Sequence, residues 1–148
     1  MLGRLARWLR ALGYDTLYPG QADDRALLRL ARTEGRLLLT RDRVLARVAA
    51  PLGCLIRSEG LDDQIREAVT RLGLAPPAGE WLTRCLDCNG ALASLAPDAA
   101  AGRVPARVLA THAAFLACPG CGKVYWAGSH ADRIVERLAR LVGRAGPG

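Results

Sequence analysis

Apolar and polar positions alternate along this chain with two different periods. Leu2, Leu5, Leu9 and Leu12 recur at about 100° per residue, which predicts an opening amphipathic helix that stops at Gly13. A short strand is expected over residues 15–18. Asp23 or Asp24 then opens a second helix, with Leu27, Leu30 and Ala31 inward and Gly35 as its stop. The run Arg36-Leu37-Leu38-Leu39-Thr40 has no helical period and reads as a strand buried on both faces. A short helix over residues 43–49 follows, broken by Pro51 and Gly53 ahead of a strand at residues 54–57. Asp62 or Asp63 starts a further helix that reaches Leu72.

This βαβα order predicts a parallel sheet flanked by helices over residues 1–74, with about three strands. Residues 75–80, within GLAPPAGE, read as a linker. From Trp81 onward the pattern changes to short strands around paired cysteines, closed by a helix from about Ser129 with Ile134, Val135, Leu138 and Leu141 apolar. Residues 81–148 therefore form a second, smaller domain, and the tail RAGPG is expected to fray.

The paired cysteines carry the strongest chemical signal. Cys85-x2-Cys88 is followed, 29 residues on, by Cys118-x2-Cys121. Two intervening residues let a tight turn aim both sulfurs at one ion, and two such turns complete a tetrahedron. CLDCNG and CPGCGK place Asn or Gly after the second cysteine, where φ is often positive. The expectation is a structural Zn2+ closed by four thiolates, with strands formed in the spacer; a redox dithiol or an iron–sulfur cluster is the alternative use of the same four cysteines. His112 and His130 lack the spacing of a ligand and read as packing or surface residues. The fifth cysteine, Cys54, reads as a small buried hydrophobe.

Charge modifies the picture modestly. Twenty arginines and one lysine give a net charge of +7, which a tetrathiolate zinc site would lower by about two. The balance favours phosphate-rich partners. No run approaches the roughly 18 apolar residues of a membrane helix, and the charged start does not resemble a signal peptide, so no membrane partner and a cytoplasmic location are expected. Carboxylates recur at helix starts and strand ends: Asp23 and Asp24, Asp42, and Asp62 and Asp63. At the C-terminal edge of a parallel sheet they could share Mg2+ or Mn2+; each could equally cap a helix, although Thr40 is available to cap in place of Asp42. Arg41 and Arg43 flank Asp42 as phosphate contacts or as its ion-pair partners. Arg4, Arg7 and Arg10 stripe the first helix as RNA contacts or as a solvated face. Trp81, Tyr125 and Trp126 stack on bases or fill the core of the second domain.

Taken together, MLGRLARWLRALGYDT, DDRALLRLARTEGRLLLTRDR, RCLDCNG and CPGCGKVYWAGSH resemble the Mut-seven C-terminal RNase family from Met1 to about Leu138. The resemblance implies a PIN-like nuclease domain followed by a zinc ribbon. It carries Asp24 and Asp42 over as metal-binding carboxylates with Asp23 beside them, Cys85, Cys88, Cys118 and Cys121 as zinc ligands, and RNA as substrate. Asp62 and Asp63 have no counterpart in it. It also implies a strand ending in an aspartate directly ahead of MLGRLAR: either the true start lies upstream of Met1, or the sheet lacks its first strand and the acidic cluster one member. The expected function is a metal-dependent ribonuclease, compromised in this N-terminally short chain. The alternative is a non-catalytic RNA- or ribosome-associated zinc-ribbon module.

Overall fold

The computed structural model describes residues 2–75 and 78–143; Met1, the two prolines of the expected linker and the RAGPG tail lie outside the described residues. It is a mixed α/β protein with two compact units. One comprises Met1–Ala6 and Leu17–Leu74, the other Arg7–Thr16 and Ala75–Gly148. The opening helix, α1 (Gly3–Ala11), is therefore shared between them.

In the first unit, α2 (Asp24–Glu34) runs between an N-terminal cap at Asp23 and a left-handed Gly35. It is followed by β1 (Leu38–Thr40), α3 (Arg43–Val48), β2 (Gly53–Leu55) and α4 (Leu61–Leu72). β1 and β2 pair in parallel, Leu38 beside Gly53 and Thr40 beside Leu55. This two-stranded sheet is smaller than expected, because residues 15–18 form no strand. At Thr16 both backbone groups are taken by side chains: the N–H donates to Asn89 Oδ1 at 2.8 Å, and the carbonyl accepts from Arg10 Nε at 2.8 Å. A residue whose polar groups are already engaged cannot also join a ladder.

Ala31, Leu38, Leu45 and Ala49 form the buried centre under the sheet, with Leu27, Leu28 and Leu52 around them. α3 packs closely on β2 at Gly53, where a Cβ would meet the Ala46 carbonyl oxygen at 2.1 Å. Two expected helix starts differ in detail. Asp42, and not Thr40, caps α3; Thr40 Oγ1 instead accepts from the Asp42 N–H at 3.1 Å. Gly60 is the cap residue of α4, leaving Asp62 and Asp63 in its first turn, where their charge suits the helix dipole. Cys54 is half-buried, not fully enclosed, because β2 lies in a sheet of only two strands.

The second unit holds an antiparallel sheet in the order β3 (Ala93–Leu95), β4 (Phe115–Ala117), β5 (Val124–Tyr125). The cysteine spacer is not all strand. Between β3 and β4 it folds into α5 (Pro97–Ala100) and α6 (Ala106–Thr111), whose Ala100 and Val108 pack with Phe115 and, at the edge, Trp126. α7 (Ser129–Val142) buries Ile134, Leu138 and Leu141 at a spacing of four and three residues and leaves Val135 exposed. No helix among the described residues is long and apolar enough to cross a membrane.

Candidate functional site

Cys85 and Cys118 are buried, Cys88 and Cys121 exposed, and their four Sγ atoms all lie within 4.8 Å of one another. The closest approaches are 3.1 Å for Cys88–Cys118 and 3.6 Å for Cys85–Cys121. Four sulfurs at about 2.3 Å from one zinc ion would stand about 3.8 Å apart, so the cage has the dimensions of a tetrahedral site and can hold a metal ion such as zinc. Local backbone builds it. The Cys85 N–H donates to the Gly90 carbonyl and the Asn89 N–H to the Cys85 carbonyl; in the second turn the Cys118 N–H donates to Lys123 and the Gly122 N–H to Cys118. Each turn reverses through a left-handed residue, Asn89 at φ 74° and Gly122 at φ 78°. Gly90 admits the sulfurs: a Cβ there would meet Cys118 Sγ at 3.0 Å.

The thiols share protons unequally. Burial pushes Cys85 up, but the Tyr125 hydroxyl at 3.2 Å, the backbone N–H groups of Cys88 and Asp87, and Cys121 outweigh it and bring Cys85 down to about 6. Backbone N–H donors, Cys121 first, lower Cys118 as well. Cys88 is pushed up to about 12, chiefly by its contact with Cys118. A divalent ion held here would draw the remaining thiols to thiolate, the ligand form.

The first turn is enclosed by residues whose role the sequence did not announce. Arg10 is only 7% exposed, and its Nη1 donates to the carbonyls of Leu86 at 2.9 Å and Asp87 at 3.2 Å. Asn89, equally buried, donates to Asp15 Oδ1 at 2.6 Å. Arg84 bridges the carbonyls of Gly13 and Asn89. Asp87 pairs with Arg7 and with Lys123 Nζ at 2.9 Å. The expected stripe on α1 is thus divided: Arg4 is exposed, Arg7 is ion-paired, and Arg10 is neither a solvated residue nor an open phosphate contact. Helical steps of about 100° set Arg10 only about 40° from the buried Ala6, which is the signal that could have found it.

Tyr125 contacts the cage directly and Trp126 borders the α5–α6 cluster. Trp81 is half-buried. His112 binds the Val108 and Ala127 carbonyls, and neither histidine joins the sulfurs.

The acidic positions are of another kind. Asp23 Oδ1 accepts from the Ala26 N–H at 2.8 Å, and Asp42 Oδ1 from Val44 at 2.8 Å and Leu45 at 3.0 Å. Asp24 opens α2 and is exposed. Asp63 pairs with Arg66. Among the described residues the four cysteines are the one set of three or more ligating side chains with closely grouped atoms; no such set includes an aspartate. Arg41 Nη1 donates to the Ser58 carbonyl, and Arg43 is exposed at the start of α3. Sequence reading also passed over Glu67 on α4. Its carboxylate accepts from the N–H groups of Arg57 and Ser58 just past β2.

Comparison with curated proteins and with solved structures gives no match. The model of one family, described as the Mut7-C RNAse domain, matches residues 1–138. With nearly the whole chain covered and the four-cysteine cage in place, this protein belongs to the Mut7-C RNAse domain family.

Proposed function

We propose that the chain is a cytoplasmic ribonuclease that hydrolyses RNA phosphodiesters with Mg2+ or Mn2+, its ribbon held by a structural Zn2+. The observation that carries this reading is the family match across residues 1–138. Asp42 and Asp24 are the proposed ligands of the catalytic ion, with Asp23 beside them. Mg2+ is commonly held by one or two carboxylates together with waters and substrate phosphate, so two exposed carboxylates suit it without a larger cluster. The bound ion would supply Lewis-acid stabilisation of the phosphate and a water of lowered pKa. Asp42 is fixed by its two cap bonds, both taken by Oδ1. Arg43 and Arg4 are exposed and suited to phosphate contact; Arg41 and Arg7, each engaged within the protein, would orient neighbouring groups.

One observation favours a second reading, a non-catalytic RNA- or ribosome-associated ribbon module: among the described residues the thiols form a set of four, and no set of three or more ligating groups includes a carboxylate. The two separate on one assay. Cleavage of labelled single-stranded RNA should require Mg2+ or Mn2+ and should fall in Asp42→Asn and Asp24→Asn while RNA binding persists. Binding without cleavage in the unmutated chain, or cleavage indifferent to both substitutions, would replace the nuclease reading with the module.

A further inference from the structure

We propose that Arg10 is a positioning residue of the thiolate metal centre, so that loading the four cysteines with metal also orders the segment from Arg7 to Thr16. This rests on the zinc reading of the cage and not on the nuclease reading.

The sequence treats α1 and the first cysteine turn as distant, yet Arg10 spans them. A guanidinium that is 7% exposed has given up its water, and it is retained only where hydrogen bonds replace that water. Arg10 finds three backbone carbonyls. Two belong to Leu86 and Asp87, the residues between Cys85 and Cys88, and the third to Thr16. The same two residues separate the sulfurs, so fixing their carbonyls fixes how Cys85 and Cys88 converge. A tetrathiolate around one divalent ion carries a charge of about −2. A buried guanidinium donating into the turn offsets part of it.

The return path runs through Asn89. Its left-handed backbone closes the turn, while its side chain accepts from the Thr16 N–H and donates to Asp15. The Leu82 N–H adds a bond to the Ala11 carbonyl at 2.8 Å, and Arg84 one to Gly13. The first turn and its flanks thus hold residues 7–16 at five positions: Arg10, Ala11, Gly13, Asp15 and Thr16. A turn that loses its metal loses the geometry those bonds need. The second turn has only a lighter counterpart, the exposed Arg103 on the Gly122 carbonyl at 2.6 Å.

The test uses the full chain and Zn2+ alone, with affinity read by competition against a chromophoric chelator and order read by amide hydrogen exchange. Arg10→Ala should weaken Zn2+ binding by roughly 10–100-fold, the usual effect of removing a group that orients metal ligands. Arg10→Lys should recover part of this through charge without the forked geometry, and Arg103→Ala should change it by less than about 3-fold, being exposed and outside the first turn. Chelating the zinc should remove protection at the Thr16 amide. Asn89→Gly keeps the left-handed backbone and deletes the side-chain bonds; it should expose the Thr16 amide even with zinc bound, which tests the coupling if Arg10→Ala does not fold. Wild-type zinc affinity in Arg10→Ala would overturn the proposal, as would equal protection of residues 7–16 with and without metal. An unmutated chain that takes up no zinc would instead overturn the zinc reading itself.

Discussion

The cysteine cage and the strand-end carboxylates are both metal sites by sequence, but they are built to opposite rules. Around the cage, turns, left-handed residues and the buried Arg10 help to place the four ligand atoms. The aspartates at α2, α3 and α4 sit on helix starts, where Asp23 and Asp42 accept from backbone N–H groups and Asp63 pairs with Arg66. A structural ion must be enclosed by the protein, whereas Mg2+ leaves part of its shell to water and phosphate. The most severe way to break this comparison is Cys118→Ser. Zinc content should fall from one per chain to near zero, with loss of the second unit's cooperative unfolding, since metal binding supplies folding energy to such lobes. Cys54→Ser, in the first unit, should leave the zinc in place.

The next test sharpens the contrast at Asp42. Asparagine caps a helix as well as aspartate does, so Asp42→Asn keeps the bonds to Val44 and Leu45 and removes only the charge. If Asp42 binds a catalytic ion, cleavage should fall by roughly 100-fold or more, because an ion at the phosphate contributes several kcal/mol to the transition state. Stability should stay within about 0.5 kcal/mol. Asp42→Ala should lose both, with an added cost of about 1 kcal/mol for the cap. Equal cleavage by the Asp42→Asn variant and the wild-type chain, read at saturating Mg2+, would reduce Asp42 to a capping residue.

What the sequence disclosed follows the same division. The cage was legible because ligand spacing is local: two residues between cysteines set each turn, and Asn89 and Gly122 mark where φ becomes positive. The longer helices were legible from their apolar period and their glycine stops, whereas α5 and α6 were not, lying in a spacer read as strands. The enclosure of the cage was not, because Arg10 reaches a turn 76 residues away: its place beside Ala6 on the helix marks it as inward-facing but does not name that partner. The strand expected at residues 15–18 failed for a related reason: at Thr16 the backbone partners are the side chains of Asn89 and Arg10. Asp42 illustrates ambiguity of a third kind. Capping and metal binding call for the same residue at the same place, and pattern cannot choose between them.

Within the first unit, packing offers a control that touches no candidate ligand. A methyl group at Gly53 would overlap the Ala46 carbonyl oxygen at 2.1 Å, and its next neighbours are also backbone atoms, so α3 itself must move. Gly53→Ala should destabilise the unit by about 2–3 kcal/mol in chemical unfolding. Zinc stoichiometry should not change. If zinc were lost with it, the two regions would not be separable in the way their construction suggests.

The smallest expected effect concerns Glu67, and it has a definite sign. Burial raises its carboxyl pKa, but the N–H groups of Arg57 and Ser58, with Arg71 nearby, outweigh burial and leave the pKa below the ordinary value. The folded state thus binds this proton less readily than the unfolded chain. The stabilisation is present in full above the unfolded value of about 4.3 and disappears as pH falls through the lower folded value. Glu67→Gln keeps an acceptor for the two N–H donors and cannot ionise. The wild-type chain should exceed it by about 1 kcal/mol at neutral pH, with the difference closing as the pH is taken below about 4. A gap that persists unchanged at a pH of about 3, below the unfolded value, would mean that shape, and not charge, holds the end of β2 against α4.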